Sequence, residues 1–432
     1  MRLALGWKFL VAYRRARRFD RIRDRQELEA LQASQLERLK NEVTRGSEFY
    51  RPYAAKAWSD WPIVDKSRWM KNFDRINTVG ARLAEVSEIA SGAERSRDFS
   101  KNWRGNTVGM STGTSGNRGV FLVSQEEGAL WAGTLLGKLL RRGLLARERI
   151  ALILRAGATL YDAIGALRLQ FRFFDQARPW QSLVADLSAY DPTILIGPAS
   201  ALRLLADAPG TLRPRRIVSV AEVLDELDRG RIERGFGLQV EQIYQATEGL
   251  LGLSCERGTV HLNEPYVLIE PEWQDAERTR FIPLVTDLWR RTQPVIRYRL
   301  NDVLQIRATP CECGRAATAL AAIEGRSDDI LWLDGPGGPV AVFPDLITRI
   351  VVSSLADLDD FRVTERARGH WSIALRPLPE ADAQRQLIER CHDLARRLSA
   401  LPPAVDIVTL DALRLAGKQR RVLGMKSKPC AS

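Results

Sequence analysis

The sequence has little histidine and cysteine and no long apolar segment: three histidines and five cysteines occur among 432 residues. So few histidines argue against a mechanism that depends on histidine as general acid or base. So few cysteines in a chain of this length exclude a disulfide-bonded scaffold. Charged residues interrupt each apolar stretch well before about 18 residues, so no transmembrane helix is expected. Lys8 interrupts the one candidate for a secretory signal, and we therefore expect a cytoplasmic protein.

The composition that is present, 45% hydrophobic and 27% charged residues, is typical of a folded soluble protein. A length of 432 residues exceeds a single ordinary core and predicts at least two domains. The 65 basic residues outnumber the 53 acidic ones and give a net charge of +12. Such a charge is typical of proteins that bind nucleic acids, membrane surfaces or small anions. Since no RNA-binding signature with interleaved aromatic residues accompanies the arginines, we expect anion binding and no nucleic acid partner.

Part of this charge lies near the N-terminus, where an apolar segment from Leu3 to Tyr13 is followed by seven arginines between Arg14 and Arg25. Two interpretations of this segment remain open. It forms a helix that packs its apolar side on the domain and exposes its basic side to water. Alternatively, it is a basic amphipathic anchor that makes peripheral contact with anionic lipid.

The middle of the chain alternates short β-rich segments with helical patterns, which predicts an α/β fold with a largely parallel sheet. The clearest predicted strands are residues 150–154, 193–196, 216–220 and 240–244. The turn-forming segment 334–339 is interpreted as a linker, because glycine and proline dominate it. The pattern of helices and strands that follows predicts a small α+β domain.

The most informative motif is a loop rich in glycine and hydroxyl side chains, Ser111 to Gly119, which precedes an apolar run. Glycine lets the backbone approach a ligand closely, and backbone N–H and hydroxyl groups can converge on phosphate oxygens. Arg118 adds positive charge to this loop. The loop is not a Walker A motif, because no Gly-Lys-Ser/Thr sequence follows. Taken alone, the segment is equally compatible with an ordinary polar loop.

Four further motifs follow along the chain: Tyr244–Glu248, Ile296–Asp302, Gly325–Asp329 and Leu415–Val422. Each is weak alone, but the five motifs in this order resemble the adenylate-forming, acyl-CoA synthetase-like superfamily, and in particular its phenylacetate–coenzyme A ligase branch. The resemblance spans about residue 60 to the C-terminus. It implies an α/β fold with a large N-terminal adenylation domain of layered sheets and helices and a small mobile α+β C-terminal domain. The domains would be residues 1–326, of which 1–60 are the basic helical lead, and residues 327–432.

The resemblance also implies roles for residues at matching positions. Thr247 would contact the AMP phosphate, Glu248 would hold Mg²⁺, and Asp328 would be the hinge. Lys418 would be the catalytic lysine that bridges the carboxylate and the phosphate during adenylation. The other ATP- and AMP-binding residues would be Ser111, Thr112, Gly113, Thr114, Ser115, Gly116, Arg118, Ala221, Glu222, Tyr244, Asp302 and Arg326.

A single lysine on a small mobile domain makes physical sense, because it neutralises charge on the α-phosphate and the leaving pyrophosphate and then moves away. Lys418 also belongs to a basic tail that includes Arg420, Arg421, Lys426 and Lys428. The alternative interpretation is therefore a solvated lysine in that tail.

The chain departs from the family pattern at three places. Gln245 replaces a usual glycine beside the acyl pocket, and Leu300-Asn301 replaces a usual Thr-Gly. Where coenzyme A ligases of this branch continue directly from the hinge into an Arg-Gly-x-x-x-Phe-Pro stretch, this chain has residues 333–339 before Phe343-Pro344. That altered loop leaves an acyl carrier protein open as the acceptor besides coenzyme A.

A second constellation consists of Cys255, His261, Cys311 and Cys313, which flank two of the nucleotide motifs in sequence. Three sulfur ligands and one imidazole fit a closed tetrahedral zinc site with no open position for catalysis. Some relatives in the resembled branch carry Cys/His clusters at matching places, which favours structural Zn²⁺. The alternative is a set of buried free thiols in a reducing compartment.

The resemblance implies ATP- and Mg²⁺-dependent activation of a carboxylic acid, expected to be aromatic, to an acyl-adenylate with release of pyrophosphate. Transfer to the thiol of an acyl carrier protein or of coenzyme A would follow. An alternative from another class is a catalytically inactive nucleotide-binding or membrane-docked accessory protein. The departures at Gln245 and Leu300-Asn301 would suit that alternative.

Overall fold

A computed structural model describes residues 2–110, 119–154, 169–208, 212–355, 357–411 and 420–425. The chain forms two compact units, each of them discontinuous in sequence. The first unit comprises residues 1–221, 232–300 and 306–321, and the second comprises residues 222–231, 301–305 and 322–432. The predicted α/β fold with a large N-terminal part and a small C-terminal part is confirmed. The domain boundary between residues 326 and 327 stays a prediction.

The α-helices and strands are numbered in chain order. The helices are α1 (Arg2–Phe19), α2 (Arg25–Gly46), α3 (Lys66–Lys71), α4 (Phe73–Ile76), α5 (Leu83–Ser96), α6 (Gln125–Leu139), α7 (Trp180–Tyr190), α8 (Ala199–Ala206), α9 (Glu226–Phe236), α10 (Pro344–Ser354) and α11 (Ala381–Arg397). The strands of the first unit are β1 (Asn102–Trp103), β2 (Asn106–Met110), β3 (Val120–Val123), β4 (Glu148–Leu154), β5 (Leu169–Asp175), β6 (Ile194–Gly197), β7 (Arg216–Val220), β8 (Val240–Ala246), β9 (Gly249–Ser254), β10 (Val260–Leu262), β11 (Val267–Trp273), β12 (Arg280–Asp287) and β13 (Tyr298–Arg299). The remaining strands are β14 (Asp302–Ile306), β15 (Leu320–Arg326), β16 (Leu331–Gly335), β17 (Gly338–Val342), β18 (Asp360–Ala367), β19 (His370–Arg376), β20 (Ala404–Thr409) and β21 (Val422–Leu423).

A seven-stranded sheet in the order β10-β9-β8-β7-β6-β4-β5 lies in the first unit. Its five strands from β8 to β5 are parallel, and β9 and β10 continue the sheet antiparallel. Every residue of β6 is buried, because helices cover both faces of a parallel sheet and select continuous apolar strands. β7 and β8 are neighbours, so their carboxyl ends lie at one edge of the sheet. This edge carries the predicted residues Ala221 and Thr247–Glu248.

Helix α1 packs on α6 through small residues. Gly133 and Gly137 lie one turn apart on α6 and face Ala12 and Ala16 of α1. A Cβ atom added at Gly133 would lie 2.4 Å from the carbonyl oxygen of Phe9. The backbones of α1 and α6 are therefore in direct contact at this point, and only glycine leaves room for it. The N-terminal segment is therefore a helix that packs one side on the domain, and its outward side is compatible with both interpretations. No helix in the described part of the chain is long and apolar enough to cross a membrane.

Replacing Gly133 with alanine should destabilise the protein by about 1–3 kcal/mol, because the added methyl group meets rigid backbone and forces α1 away from α6. Gly92 in α5 is the matched control, since a Cβ atom there would have no neighbour within 4 Å. Gly92→Ala should stabilise the protein by about 0.5–1 kcal/mol through helix propensity alone. Thermal unfolding of the two variants should therefore shift in opposite directions. Equal shifts would contradict the close α1–α6 packing.

The second unit contains a four-stranded sheet in the order β20-β19-β18-β21. Helices α10 and α11 pack on a core built around Phe361, Trp371 and Leu387. The segment 334–339, which its composition suggests is a linker, is instead a hairpin turn: Gly335 pairs with Gly338, and Pro336 and Gly337 form the turn between β16 and β17. Composition could not separate the two cases, because tight hairpin turns and linkers select the same residues.

Candidate functional site

The structure describes some of the predicted site residues and not others. The predicted phosphate loop, Ser111 to Arg118, and the predicted catalytic residue Lys418 lie outside the described residues. Ala221, Tyr244, Thr247 and Glu248 belong to the first unit. Glu222, Asp302, Arg326 and Asp328 belong to the second unit.

Thr247 and Glu248 form the two-residue connection between β8 and β9, because Ala246 pairs directly with Gly249. The register of this hairpin shifts between Tyr244 and Gln245, the position where the family pattern has glycine. The hydroxyl of Thr247 donates a hydrogen bond to Glu248 Oε2 at 2.8 Å. A hydroxyl and a carboxylate are thus held side by side at the carboxyl end of a central strand, where ligands of α/β sheets bind.

Tyr298 on β13 is a second partner of this carboxylate, and sequence reasoning did not identify it as a site residue. Its hydroxyl lies close enough to the Glu248 carboxylate to interact with it electrostatically. Burial and the negative charge of Glu248 raise the pKa of Tyr298 above its ordinary value, so the phenol stays protonated and remains a donor. The Glu248 carboxylate therefore accepts a hydrogen bond from Thr247 and has the Tyr298 hydroxyl beside it.

Arg290 is a further residue that sequence reasoning missed. Its guanidinium is buried; Nη1 donates to the Thr247 carbonyl at 2.8 Å, and Nη2 donates to the Leu122 carbonyl at 3.1 Å. Leu122 lies on β3, directly after the predicted phosphate loop. Burial lowers the pKa of Arg290, while the charges of Glu127, Asp287 and Glu248 raise it. Arg290 thus ties the Thr247–Glu248 turn to the strand that follows the phosphate loop.

Arg290→Lys should weaken this connection, because a single ammonium group cannot reach both carbonyl oxygens in the geometry of a guanidinium fork. Losing one charge-assisted hydrogen bond should cost about 1.5–3 kcal/mol of stability. We also expect a roughly tenfold loss in affinity for MgATP, measured by calorimetry. Arg291→Lys is the matched control, since its guanidinium contacts Glu42 and the Leu288 carbonyl instead. Equal effects of both variants on MgATP binding would contradict the positioning role of Arg290.

The predicted nucleotide-binding residues Ala221 and Glu222 directly follow β7. Ala221 has a φ of +69°, a left-handed conformation that alanine rarely adopts. Ser219 is buried, and its hydroxyl has no hydrogen-bond partner in the described part of the chain. Strained backbone and an unpaired buried hydroxyl are both more frequent at functional sites than elsewhere. Both features lie at the end of β7, where the resemblance places the nucleotide.

In the second unit, the predicted hinge lies in a single 3-10 turn, Ser327–Asp329. Asn301 Nδ2 donates to Asp328 Oδ2 at 3.2 Å, and the Asn301 carbonyl accepts from the Ser327 backbone N–H at 2.6 Å. Asn301 stands where the family pattern has glycine, so this departure from the pattern adds a side-chain contact to the predicted hinge. Arg326 is the residue before this turn. The pKa of Arg420 is lowered mainly by burial and further by the positive charge of the nearby Arg326.

The alternative interpretation of Lys418 places Arg420 and Arg421 in a solvated tail. The structure instead gives both arginines ion-pair partners. Arg420 Nε donates to the buried Asp329 carboxylate at 3.2 Å. Arg421 is buried and contacts Asp225, Asp228 and Asp360 of the same unit, with two bonds of 2.8 Å to Asp228. Burial alone would lower the pKa of Arg421, but these three carboxylates raise it well above its ordinary value. The residues that closely follow Lys418 in sequence are thus anchored by buried ion pairs.

The four predicted metal ligands come together in the first unit. Their ligand atoms, from Cys255, His261, Cys311 and Cys313, lie within 4.8 Å of one another. Cys255 Sγ is 3.8 Å from Cys311 Sγ, and Cys313 Sγ is 3.2 Å from His261 Nε2. Zinc–sulfur bonds of about 2.3 Å in a tetrahedron place two sulfur atoms about 3.8 Å apart. The Cys255–Cys311 separation therefore equals that of two sulfur ligands of a tetrahedral zinc ion.

His261 is oriented by a backbone contact. Its Nδ1 lies 2.8 Å from the Ala317 carbonyl, an acceptor, so Nδ1 carries the proton and Nε2 presents its lone pair to the cysteines. Two short turns hold the sulfur ligands: the N–H of Gly258 donates to the Cys255 carbonyl, and the N–H of Gly314 donates to the Cys311 carbonyl. Both glycines have positive φ values. The donor set and its orientation fit a structural metal ion.

Comparison with solved structures shows which fold this chain has. The chain is similar to 2-hydroxyisobutyryl-CoA ligase in the postadenylation state in complex with R3-HIB-AMP, with a TM-score of 0.70 and 17% identity over 94% of this chain and 91% of that chain. The same ligase in an open conformation with 2-HIB-AMP and CoA gives a TM-score of 0.60 and 18% identity over 91% of each chain. The chain has the fold of the adenylate-forming superfamily.

A match in sequence agrees with this assignment. The phenylacetate–coenzyme A ligase of Thermus thermophilus is 25% identical over 174 residues, which cover 38% of this chain and 38% of that protein. No protein-family model matches the sequence. The resemblance to adenylate-forming enzymes that the five motifs indicate is thus confirmed at the level of the superfamily.

Proposed function

We propose that this protein is an ATP- and Mg²⁺-dependent ligase that activates a carboxylic acid as an acyl-adenylate and then transfers the acyl group to a thiol. The observation that carries the proposal is the Thr247–Glu248 turn, in which a carboxylate that accepts a hydrogen bond from Thr247 lies at the carboxyl end of a central strand of this fold. In adenylation, an oxygen of the acid's carboxylate attacks the α-phosphorus of ATP, and the bond to pyrophosphate breaks.

Glu248 would hold Mg²⁺, and its donor chemistry fits that ion, because Mg²⁺ prefers carboxylate oxygens and keeps several waters. Bound Mg²⁺ would neutralise negative charge on the phosphates of ATP. Thr247 donates a hydrogen bond to the carboxylate, Tyr298 lies beside it, and Arg290 fixes the turn that carries it. Positioning and electrostatics of this kind account for most of the catalysis in phosphoryl and nucleotidyl transfer.

Lys418 would supply positive charge in the transition state, between the acid's carboxylate and the α-phosphate. The contacts of Arg420 with Asp329 and of Arg421 with Asp228 support this role, because they fix the chain shortly after the lysine. Asp328 would be the hinge about which the second unit turns between the two half-reactions. The phosphate loop, Ser111 to Arg118, would hold the departing pyrophosphate.

The acid is proposed to be aromatic, of the benzoate or phenylacetate type. The name of the Thermus relative, phenylacetate–coenzyme A ligase, supports this class, as does the resemblance of the motifs. The thiol is proposed to belong to coenzyme A or to the phosphopantetheine group of an acyl carrier protein. CoA is bound in one of the structures to which this chain is similar, whereas the β16–β17 hairpin that replaces the usual post-hinge stretch favours a carrier protein.

The Cys255–His261–Cys311–Cys313 cluster is proposed to hold structural Zn²⁺. Four protein ligands fill the coordination sphere, so the ion would have no position for substrate or water. Its role would be to join the turn after β9 to the segment 311–317. The segment 311–317 is far from β9 in sequence. It lies next to the residues that follow α1, because the N–H of Ala316 donates to the Ile22 carbonyl at 3.1 Å.

A pyrophosphate-release assay across aromatic and short aliphatic acids tests the proposal. We expect release that depends on ATP, Mg²⁺ and one class of acid. The same assay with coenzyme A, and then with a phosphopantetheinylated carrier protein, should give a thioester with only one of the two acceptors. ATP binding without pyrophosphate release for any acid would contradict the ligase proposal and favour a catalytically inactive accessory protein.

A further inference from the structure

Helix α1 has an exposed face opposite the one that packs on α6. Trp7 is 63% exposed and Leu10 is 38% exposed, and Arg14 and Arg18 are exposed on the same side. With 3.6 residues per turn, these four side chains fall within about 80° of one another around the helix axis. The apolar pair occupies the first half of this face and the basic pair the second half.

The turn that follows α6 extends this surface. Arg17 on α1 donates to the Leu140 carbonyl at 2.9 Å, and a Cβ atom at Gly143 would lie 3.6 Å from the Tyr13 hydroxyl. These contacts place residues 141–147 beside α1. Leu145 in this turn is 79% exposed, and the turn also carries the exposed residues Arg142 and Arg147. We call the outward face of α1 together with the turn 141–147 the α1 surface.

The charge of the α1 surface is of one sign. Helix α1 contains six basic residues and no acidic residue. Lys8 pairs with Glu126, and the Arg15 guanidinium stacks over the Trp289 ring at 4.2 Å. Arg14 and Arg18 have no ion-pair partner in the described part of the chain. Their guanidinium groups are therefore free to bind phosphate oxygens from outside the molecule.

We propose that the α1 surface docks on an anionic lipid bilayer. Tryptophan and leucine side chains partition into the interface between headgroups and acyl chains, and neighbouring arginines bind the lipid phosphates. The exposed apolar groups on two adjacent elements, Trp7 and Leu10 on α1 and Leu145 on the turn, favour a bilayer over an acidic protein. A protein partner that recognised only the charge would leave these apolar groups in water. The proposal is independent of the proposed ligase activity.

Co-sedimentation of the intact protein with vesicles tests this proposal. Vesicles of one part phosphatidylglycerol to two parts phosphatidylcholine should bind the protein, and binding should fall as salt is added. Vesicles of phosphatidylcholine alone should bind it at least tenfold more weakly. The double variant Arg14→Ser/Arg18→Ser should lose roughly 30-fold in binding to the anionic vesicles. Trp7→Ser/Leu10→Ser should lose at least roughly tenfold.

Matched control variants lie on the second unit. Arg362→Ser/Arg366→Ser removes the same charge from exposed positions of β18, and Leu401→Ser removes an apolar side chain that is 64% exposed. Both should bind vesicles as the unchanged protein does. Absence of binding to anionic vesicles would overturn the proposal, as would equal losses in the control variants. Vesicle binding that does not depend on Trp7 and Leu10 would overturn the proposal that the apolar half of the α1 surface enters the bilayer. Unchanged thermal unfolding of each variant shows that the loss reflects docking.

Discussion

Glu248→Gln is expected to reduce the rate of acyl-adenylate formation by roughly 100- to 1,000-fold, because the amide cannot supply the negative charge that Mg²⁺ requires. The fold should be retained, since glutamine has the same shape and its side-chain oxygen still accepts a hydrogen bond from Thr247. Pre-steady-state pyrophosphate release measures the rate. Higher Mg²⁺ should restore part of the activity if the loss is one of metal affinity.

The control for this variant is Glu42→Gln, which removes another paired carboxylate of the first unit; Glu42 contacts Arg38 and Arg291. Its effect on adenylation should stay below about threefold, as for a partly exposed ion pair. Tyr298→Phe should reduce the rate of adenylation by an amount between the effects of Glu248→Gln and Glu42→Gln, because it removes a hydroxyl group that lies beside Glu248. Full activity in Glu248→Gln would remove the carboxylate from the mechanism.

Cys311→Ser is expected to abolish metal binding and to lower the free energy of unfolding by on the order of 5 kcal/mol. A hydroxyl is a poor zinc ligand, and the binding energy of a structural zinc ion contributes directly to folding. The purified protein should contain one equivalent of zinc by elemental analysis, and Cys311→Ser should contain none. Limited proteolysis should then cleave the segment 311–317, whose anchoring to His261 and Ile22 depends on the cluster.

Cys391→Ser provides the matched control, because Cys391 is also buried but lies in the core of the second unit. This variant should retain zinc even if it is less stable. If the protein without any substitution is folded and contains no metal, the zinc proposal is refuted. The cluster would then be three thiols beside a histidine.

The parts of the site that sequence could predict are those with a local signature. The Thr247–Glu248 turn and the cluster of three cysteines and one histidine are predictable because hydroxyl, carboxylate, thiol and imidazole groups occur at recognisable spacing. Tyr298 and Arg290 carry no such signature. Both act through long-range contacts, Tyr298 with Glu248 and Arg290 with the Thr247 and Leu122 carbonyls, and only the fold brings these partners together.

The N-terminal and C-terminal basic segments show the same limit. Their arginines could be counted from the sequence, but the count could not separate buried from exposed charge. Arg421 is buried among three aspartates, whereas Arg14 and Arg18 are exposed on α1. The glycines that hold α1 on α6 are indistinguishable from ordinary helix residues until their opposite partners are known. Tertiary contacts, not composition, decide which charges are structural.

The central claim, that the carboxylate oxygen of an acid attacks the α-phosphorus of ATP, is tested most directly with an acid labelled with oxygen-18 in its carboxylate. After transfer to the thiol, mass spectrometry should find one labelled oxygen atom in AMP and none in pyrophosphate. Label in inorganic phosphate with ADP as the nucleotide product, or unlabelled AMP together with thioester, would contradict the account.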